Sequence, residues 1–339
     1  MLTRRMWLLS LCSTELYAKK SQRAAVHYEQ SDHELRWFNG QSDGRICQQA
    51  FRPEEVSVAR KWIAYIAAGE DHQVRRRPEG EELHIFSRFT SGSSIGRVDY
   101  IEPLTGMARH PLASLGCRTR PRSLPHVALD NTSYLLTASH CGKTRSHPAR
   151  SHQRNLLYDM GCSGPGVKQF SSIPTWAAFY AKSCIEFDHL FGWELKKFDQ
   201  TAWWAAIPDH LRDKVSFFNF GVAKEPWKGG STENVVLQNR NRSFIETLKA
   251  TARPEDFVAV KLDIDHSETE LSIINAILDS PDDVASLIDE LFFECHFRFD
   301  RGTLLYYYWG SPALNHTVDN ALGLLKRLRQ LGIRAHFWV

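Results

Sequence analysis

From residue 155 onward the chain alternates between short apolar runs and segments with helical spacing. The runs are Leu156–Met160, Ser183–Asp188, Val215–Val222, Phe257–Ile264, Glu290–Cys295 and Ile333–Val339. Each is short and apolar, which predicts a buried strand. Between them lie Ile173–Ala181, Leu195–Ala206, Ser243–Ala250, Glu268–Leu278 and Val318–Leu331, which predict helices. The last sets Val318, Leu322, Leu325, Leu328 and Leu331 on one side, with Lys326, Arg327 and Arg329 off it. This alternation predicts an α/β fold with a doubly wound, mostly parallel, Rossmann-like sheet. Such sheets bind ligands beyond the carboxyl ends of their strands, where the strand order reverses.

Upstream the pattern is thinner. Leu83–Thr90 alternates and predicts a strand, and Arg97–Glu102 predicts a second across a Gly-Ser turn, forming a hairpin. Ser133–Thr137 is a third candidate strand. Residues 109–154 carry eight Lys and Arg, one acid (Asp130) and five histidines, amid Pro and Ser. The histidines lack metal-ligand spacing and read as surface residues, and no aromatics interleave with the basic residues as a nucleic-acid groove requires. Val56–Ala68 has helical spacing behind Pro53, and Gly69–Glu82, with Arg75 to Arg77, reads as a solvated stretch. The expected division is an extension over 1–80, partly helical or disordered, a strand and loop lead-in over 81–150, and the α/β domain over 151–339.

Composition narrows the class without naming it. The 339 residues are 42% hydrophobic and 24% charged, as in a globular protein. A net charge of +3 is too small to argue for nucleic acid or an anionic membrane. No apolar run is long enough to span a bilayer, so no stable membrane insertion is expected. Arg4 and Arg5 ahead of Met6–Cys12 resemble a signal-peptide start, but no small-residue cleavage site follows, and a helical or disordered start is expected. The seven cysteines are scattered and form no CxxC pair, which favours a reducing compartment, the cytoplasm, over a disulfide framework. Nothing in the sequence specifies an oligomeric state.

The candidate chemistry sits at the predicted strand ends. The first strand ends at Asp159, and a turn with Gly161, Gly164 and Gly166 follows. Glycines there let backbone approach a ligand, and a helix start offers free N–H groups. The second strand ends at Asp188, where an acid can accept from a ribose diol. The fourth ends in Lys261-Leu-Asp263-Ile-Asp265 and runs into His266 and Glu268, and the fifth ends in Glu294-Cys-His296. On the sheet frame Asp159, Asp188, Asp263, Glu294 and His296 share one rim, as a small-molecule site requires. Plainer readings exist for several of these residues. Asp159 is also a suitable helix cap. The Asp263–Asp265 pair also matches the way glycosyltransferases hold a divalent cation. Cys162 and Cys295 read as small buried residues, and Trp176, Trp193, Trp203, Trp204 and Trp227 as packing residues.

The combined pattern resembles the FkbM-type family of S-adenosyl-L-methionine-dependent methyltransferases. That family has an Asp-x-Gly-Ala-Asn-x-Gly turn, and this chain has Asp159-Met-Gly-Cys-Ser-Gly-Pro-Gly166. Its Phe-Glu-Pro corresponds to Phe187-Asp-His189, its Lys-x-Asp-x-Glu-Gly-x-Glu to Lys261–Glu268, and its Glu-x-His to Glu294–His296. The chain departs by Ser163 for Asn, a last glycine one residue late, Asp at 188 and 265 for Glu, and His266 for Gly. The resemblance implies that Asp159, Gly161, Ser163, Gly164 and Asp188 bind the cofactor. It implies that Asp263 faces the sulfonium. A nearby histidine can take the hydroxyl proton, and His266 and His296 are the candidate bases. Glu268, Glu294 and His296 would line the acceptor, a small molecule with a hydroxyl. Trp309, in a Tyr-rich stretch beyond the fifth strand, is a further candidate substrate contact. No metal is assigned. A non-catalytic protein of the same fold, or a metal-dependent glycosyltransferase using Asp263 and Asp265, stands as the alternative.

Overall fold

The computed structural model describes residues 26–39, 86–91, 98–104, 135–138, 154–164, 172–222, 243–296 and 316–338. Its centre is a six-stranded sheet: β4 (Asn155–Met160), β5 (His189–Trp193), β6 (Val215–Phe218), β7 (Phe257–Leu262), β8 (Glu290–Glu294) and β9 (Arg334–Trp338). All pairs are parallel, in the order β6-β5-β4-β7-β8-β9. The chain runs outward from β4 to β6, then returns to the other side of β4 for β7. The reversal therefore falls between β4 and β7.

Both faces of this sheet are covered, as an all-parallel sheet requires. Along β4, Leu156, Tyr158 and Met160 enter one apolar cluster and Leu157 the other. The first cluster takes in Phe244 and Leu248 of α5 (Phe244–Thr251), Ile273, Ile274 and Ile277 of α6 (Ser267–Leu278), and Leu322, Leu325 and Leu328 of α7 (Val318–Gln330). The second takes in Ile173, Trp176 and Tyr180 of α2 (Ile173–Ala181) and Trp203 of α3 (Gln200–Ala205). Local chemistry sets the helix starts. Pro174 sits in the first turn of α2, Ser243 caps α5, and Thr317 with Asn320 forms a capping box on α7. A short α4 (Asp209–Arg212) precedes β6.

The other sheet is antiparallel: β1 (Val26–Glu29), β2 (Ser87–Ser91) and β3 (Val98–Ile101), with α1 (Asp32–Phe38) after β1. β2 and β3 are the expected hairpin. β1 and α1 lie in the stretch read as an extension. A buried ionic network joins this sheet to the large one. Arg329 of α7 donates to Glu34 Oε1 and the Glu102 carbonyl, both at 2.9 Å. His336 of β9 bonds Glu102 at 2.6 Å and Glu290 at 2.8 Å.

Several sequence expectations are corrected. The strand placed at Ser183–Asp188 is β5, at His189–Trp193. Cys184 has a left-handed backbone (φ 57°), so the chain turns there, and Ile185 and Phe187 are buried in a connection. The helix over Leu195–Ala206 starts at Gln200, where Asp199 accepts from the Ala202 N–H. Residues 135–138 form no strand. Cys184 is disulfide-bonded, while Cys162 and Cys295 are free and buried. Among the described residues no helix is long and apolar enough to cross a membrane. The predicted helix Val56–Ala68, Arg75–Arg77, Trp227 and the five histidines of 109–154 lie outside the described residues.

Candidate functional site

The switch point carries buried charge. β4 and β7 pair with Asp159 beside Lys261, and Asp263 lies two residues farther along. A strand period of two therefore brings Lys261 and both acids to one side. The fully buried Lys261 ammonium donates to the Gly161 carbonyl at 2.8 Å. It lies 3.3 Å from Asp159 Oδ1 and 3.2 Å from Asp263 Oδ2. Trp338 at the tip of β9 donates its indole N–H to Asp263 at 3.1 Å. Burial pushes Asp159 up to about 6 despite Lys261. Burial acts the same way on Asp263, but Lys261 and hydrogen bonds from its neighbours outweigh it and hold that acid below the usual carboxylate range.

A second group lies at the exits of β7 and β8. His296 Nε2 stands 3.3 Å from Glu294 Oε2 and 3.7 Å from Asp265 Oδ1. Glu270, from the first turns of α6, is 1% exposed and accepts the Ile264 N–H at 3.0 Å through one oxygen. Burial raises both Glu270 and Glu294 to about 7. Its hydrogen bond to Glu294 raises His296 to about 9. At neutral pH this imidazole therefore carries its proton, and the acceptor nearest to hand is Glu294 rather than His296. Among the described residues, this group holds five carboxylates (Asp159, Asp263, Asp265, Glu270 and Glu294) against two cations, Lys261 and His296.

The glycine turn is tied down by the protein itself. Gly161 has φ 87°, and a Cβ there would sit 1.6 Å from the Asp263 carbonyl oxygen, so only glycine fits the approach of β4 to β7. The Gly161 and Cys162 N–H groups both donate to the Trp193 carbonyl, at 3.0 and 2.9 Å. Asp159 caps no helix, since Ser172 occupies that position on α2, and its buried carboxylate faces Lys261. Ser163 is half-buried, and Gly164 lies against the Phe198 ring.

The remaining candidates divide. Asp188 precedes β5 and lies at the amino end of the sheet, accepting the Asn155 N–H at 2.7 Å. It lines a cleft of about 540 Å³ with Arg154, His189 and Thr251, away from the carboxyl rim. The acid at the tip of β5 is Glu194, half-buried, with one oxygen on the Lys196 N–H at 2.7 Å. The sequence signal for Glu194 is the run Leu190–Trp193 closed by an acid. Gly192 masks it by resembling a turn. His266 is exposed and caps α6, its Nδ1 accepting the Thr269 N–H at 3.3 Å. Glu268 is exposed in the first turn of α6, and Trp309 lies outside the described residues. The Asp-x-Asp pair is split: Asp263 turns inward to Lys261 and Trp338, and Asp265 turns outward to His296.

The rim thus groups Asp263, Glu294 and His296 at adjacent strand tips and adds Asp265 and Glu270, which sequence reasoning did not assign to it. An acid-rich rim with a half-buried acid one strand away suits a cationic nucleoside. The first donors of the glycine turn are already committed and do not suit a cradle. No known protein family matches the chain, and neither does any curated protein or solved structure.

Proposed function

We propose that this chain is an S-adenosyl-L-methionine-dependent methyltransferase of FkbM-like type, acting on a hydroxyl of a sugar or other small metabolite. One observation carries the reading. A surplus of carboxylates stands at the switch point of a parallel sheet, where a sulfonium needs negative charge, with Glu194 at the neighbouring tip for a ribose diol. When bound, the cofactor supplies a methyl group activated by its positive sulfur. The chain's own residues align and deprotonate. Glu194 takes the role that the sequence pattern gave to Asp188. Asp263, kept ionised by Lys261 and Trp338, stabilises positive charge above the sheet. The Glu294–His296 pair receives the hydroxyl proton. Alignment of acceptor and methyl group supplies most of the rate.

Thermal unfolding with S-adenosylhomocysteine tests this. A ligand at a hundred times its Kd adds about 2.7 kcal/mol to stability, which a melting curve resolves. The wild type and Asp188→Ala should shift, and Glu194→Ala should not. A shift lost in Asp188→Ala but kept in Glu194→Ala would overturn the assignment. The committed N–H groups of Gly161 and Cys162 favour a second reading, a non-catalytic protein of this fold. Wild-type protein unmoved by either S-adenosylhomocysteine or S-adenosylmethionine would support it.

A further inference from the structure

We propose that Asp265, Glu294 and His296 form a binding site for one divalent transition-metal ion at the exits of β7 and β8. One ligand atom from each lies within 4.8 Å of the others. Bonds of 2.0–2.2 Å to a common ion put neighbouring ligand atoms roughly 3.0–3.6 Å apart. The measured 3.3 Å from His296 Nε2 to Glu294 and 3.7 Å to Asp265 bracket the upper part of that range. Both carboxylates face the buried His296 Nε2, so the three ligand atoms converge on one point.

A second observation comes from α6. Glu270 is 1% exposed, and its Oε2 makes no hydrogen bond among the described residues. Its charge acts on both His296 and Asp265. A buried carboxylate oxygen with no donor is costly unless a cation compensates it. Glu270 thus backs the three ligands with a fourth acid. One imidazole and two carboxylates suit Mn²⁺, Co²⁺ or Zn²⁺ better than Mg²⁺ or Ca²⁺, which prefer oxygen alone. Asp265 is exposed and able to swing inward, and its left-handed backbone (φ 53°) is one that Asn adopts equally well. The site stands on its own geometry and does not depend on the methyltransferase reading. Under that reading the ion would bind the acceptor hydroxyl and ease its deprotonation in place of the Glu294–His296 pair, whose lone pairs it would occupy.

The test is calorimetric titration of the full chain with MnCl₂, with the visible d–d spectrum of added Co²⁺ as a second readout. The wild type should bind one ion per chain. Asp265→Asn, which preserves the backbone, and His296→Gln should each weaken binding at least tenfold and alter the Co²⁺ spectrum. His189→Gln, at the other end of the sheet, should bind as the wild type does. Absence of Mn²⁺ and Co²⁺ binding by folded wild type would overturn the site, as would unchanged binding in folded Asp265→Asn. The S-adenosylhomocysteine shift through Glu194 reads a different ligand, so either proposal can fail alone.

Discussion

Two buried ionic networks sit on the same sheet, and they are built on opposite principles. The one joining the small sheet to β8, β9 and α7 is balanced: Glu34, Glu102 and Glu290 against Arg329, Arg334 and His336. Its oxygens are heavily used. Glu290 accepts from His336, Tyr180 and the Ala138 N–H, and Glu34 accepts from Arg329, Tyr28 and the Leu104 N–H. Each partner holds the others charged, so burial fails to neutralise them: Glu102 and Glu290 lie below the usual carboxylate range and His336 above the usual imidazole range. The rim has, among the described residues, five acids for two cations, and there burial wins at Asp159, Glu270 and Glu294. Charge balance and heavily used carboxylate oxygens mark a structural clamp. Surplus charge and unused oxygens are the features on which the two proposed cation-binding roles rest.

The clamp should be the more expensive to break. Arg329→Met leaves Glu34 and Glu102 buried beside an apolar side chain. The expected loss is roughly 3–5 kcal/mol in urea unfolding. A loss below about 1 kcal/mol would mean that the network is an ornament of the fold. At the rim, Gly161→Ala should cost roughly 2–4 kcal/mol, because a Cβ collides with the Asp263 carbonyl in a left-handed conformation. Urea unfolding of the free protein checks it. A cost that disappears at zero ligand and appears only in cofactor affinity would restore Gly161 to a ligand-facing role.

Most of the sheet was legible because buried parallel strands leave uninterrupted apolar runs. β4, β7, β8 and β9, and helices α2, α5, α6 and α7, fall within two residues or so of the runs that predict them. β5 was not legible, for a packing reason. Gly192 breaks the run, and it is glycine because a Cβ would meet Cys162 Sγ and Ile173 Cδ1 at 3.0 Å. That one residue displaced the expected strand toward Asp188 and hid Glu194. β1 and α1 were hard to see because, beside the buried Tyr28, they bury an acid, Glu34, whose burial makes sense only once Arg329 arrives from the far end of the chain. The rim residues Asp263, Glu294 and His296 were legible from strand-end position. Glu270 was not, since it reads as an ordinary first-turn acid.

Acidity separates the two networks next. His336 is raised in the folded state, so its contribution is complete below about pH 6.5 and is lost as pH rises through its folded value. Glu102 and Glu290 are lowered, so theirs is present above about pH 4.5 and is lost as pH falls through their folded values. Asp159, raised to about 6, works against the native state once ionised and favours it as pH falls from about 6 toward 4. Urea unfolding across this range should show a loss on the alkaline side that His336→Asn removes. An alkaline limb unchanged in that variant would detach His336 from the clamp.

The smallest expected effect is the most discriminating. Glu290→Gln and Glu270→Gln are the same change made in the two networks, and both are measurable by urea unfolding of the free protein near about pH 8, where all these carboxylates are ionised. Glu290→Gln removes a partner of His336 and Arg334 and should lose roughly 2–3 kcal/mol. Glu270→Gln relieves a crowd of acids and should gain roughly 1 kcal/mol. Opposite signs are the result this account requires. Equal losses in both variants would contradict it, because the rim would then be a second clamp.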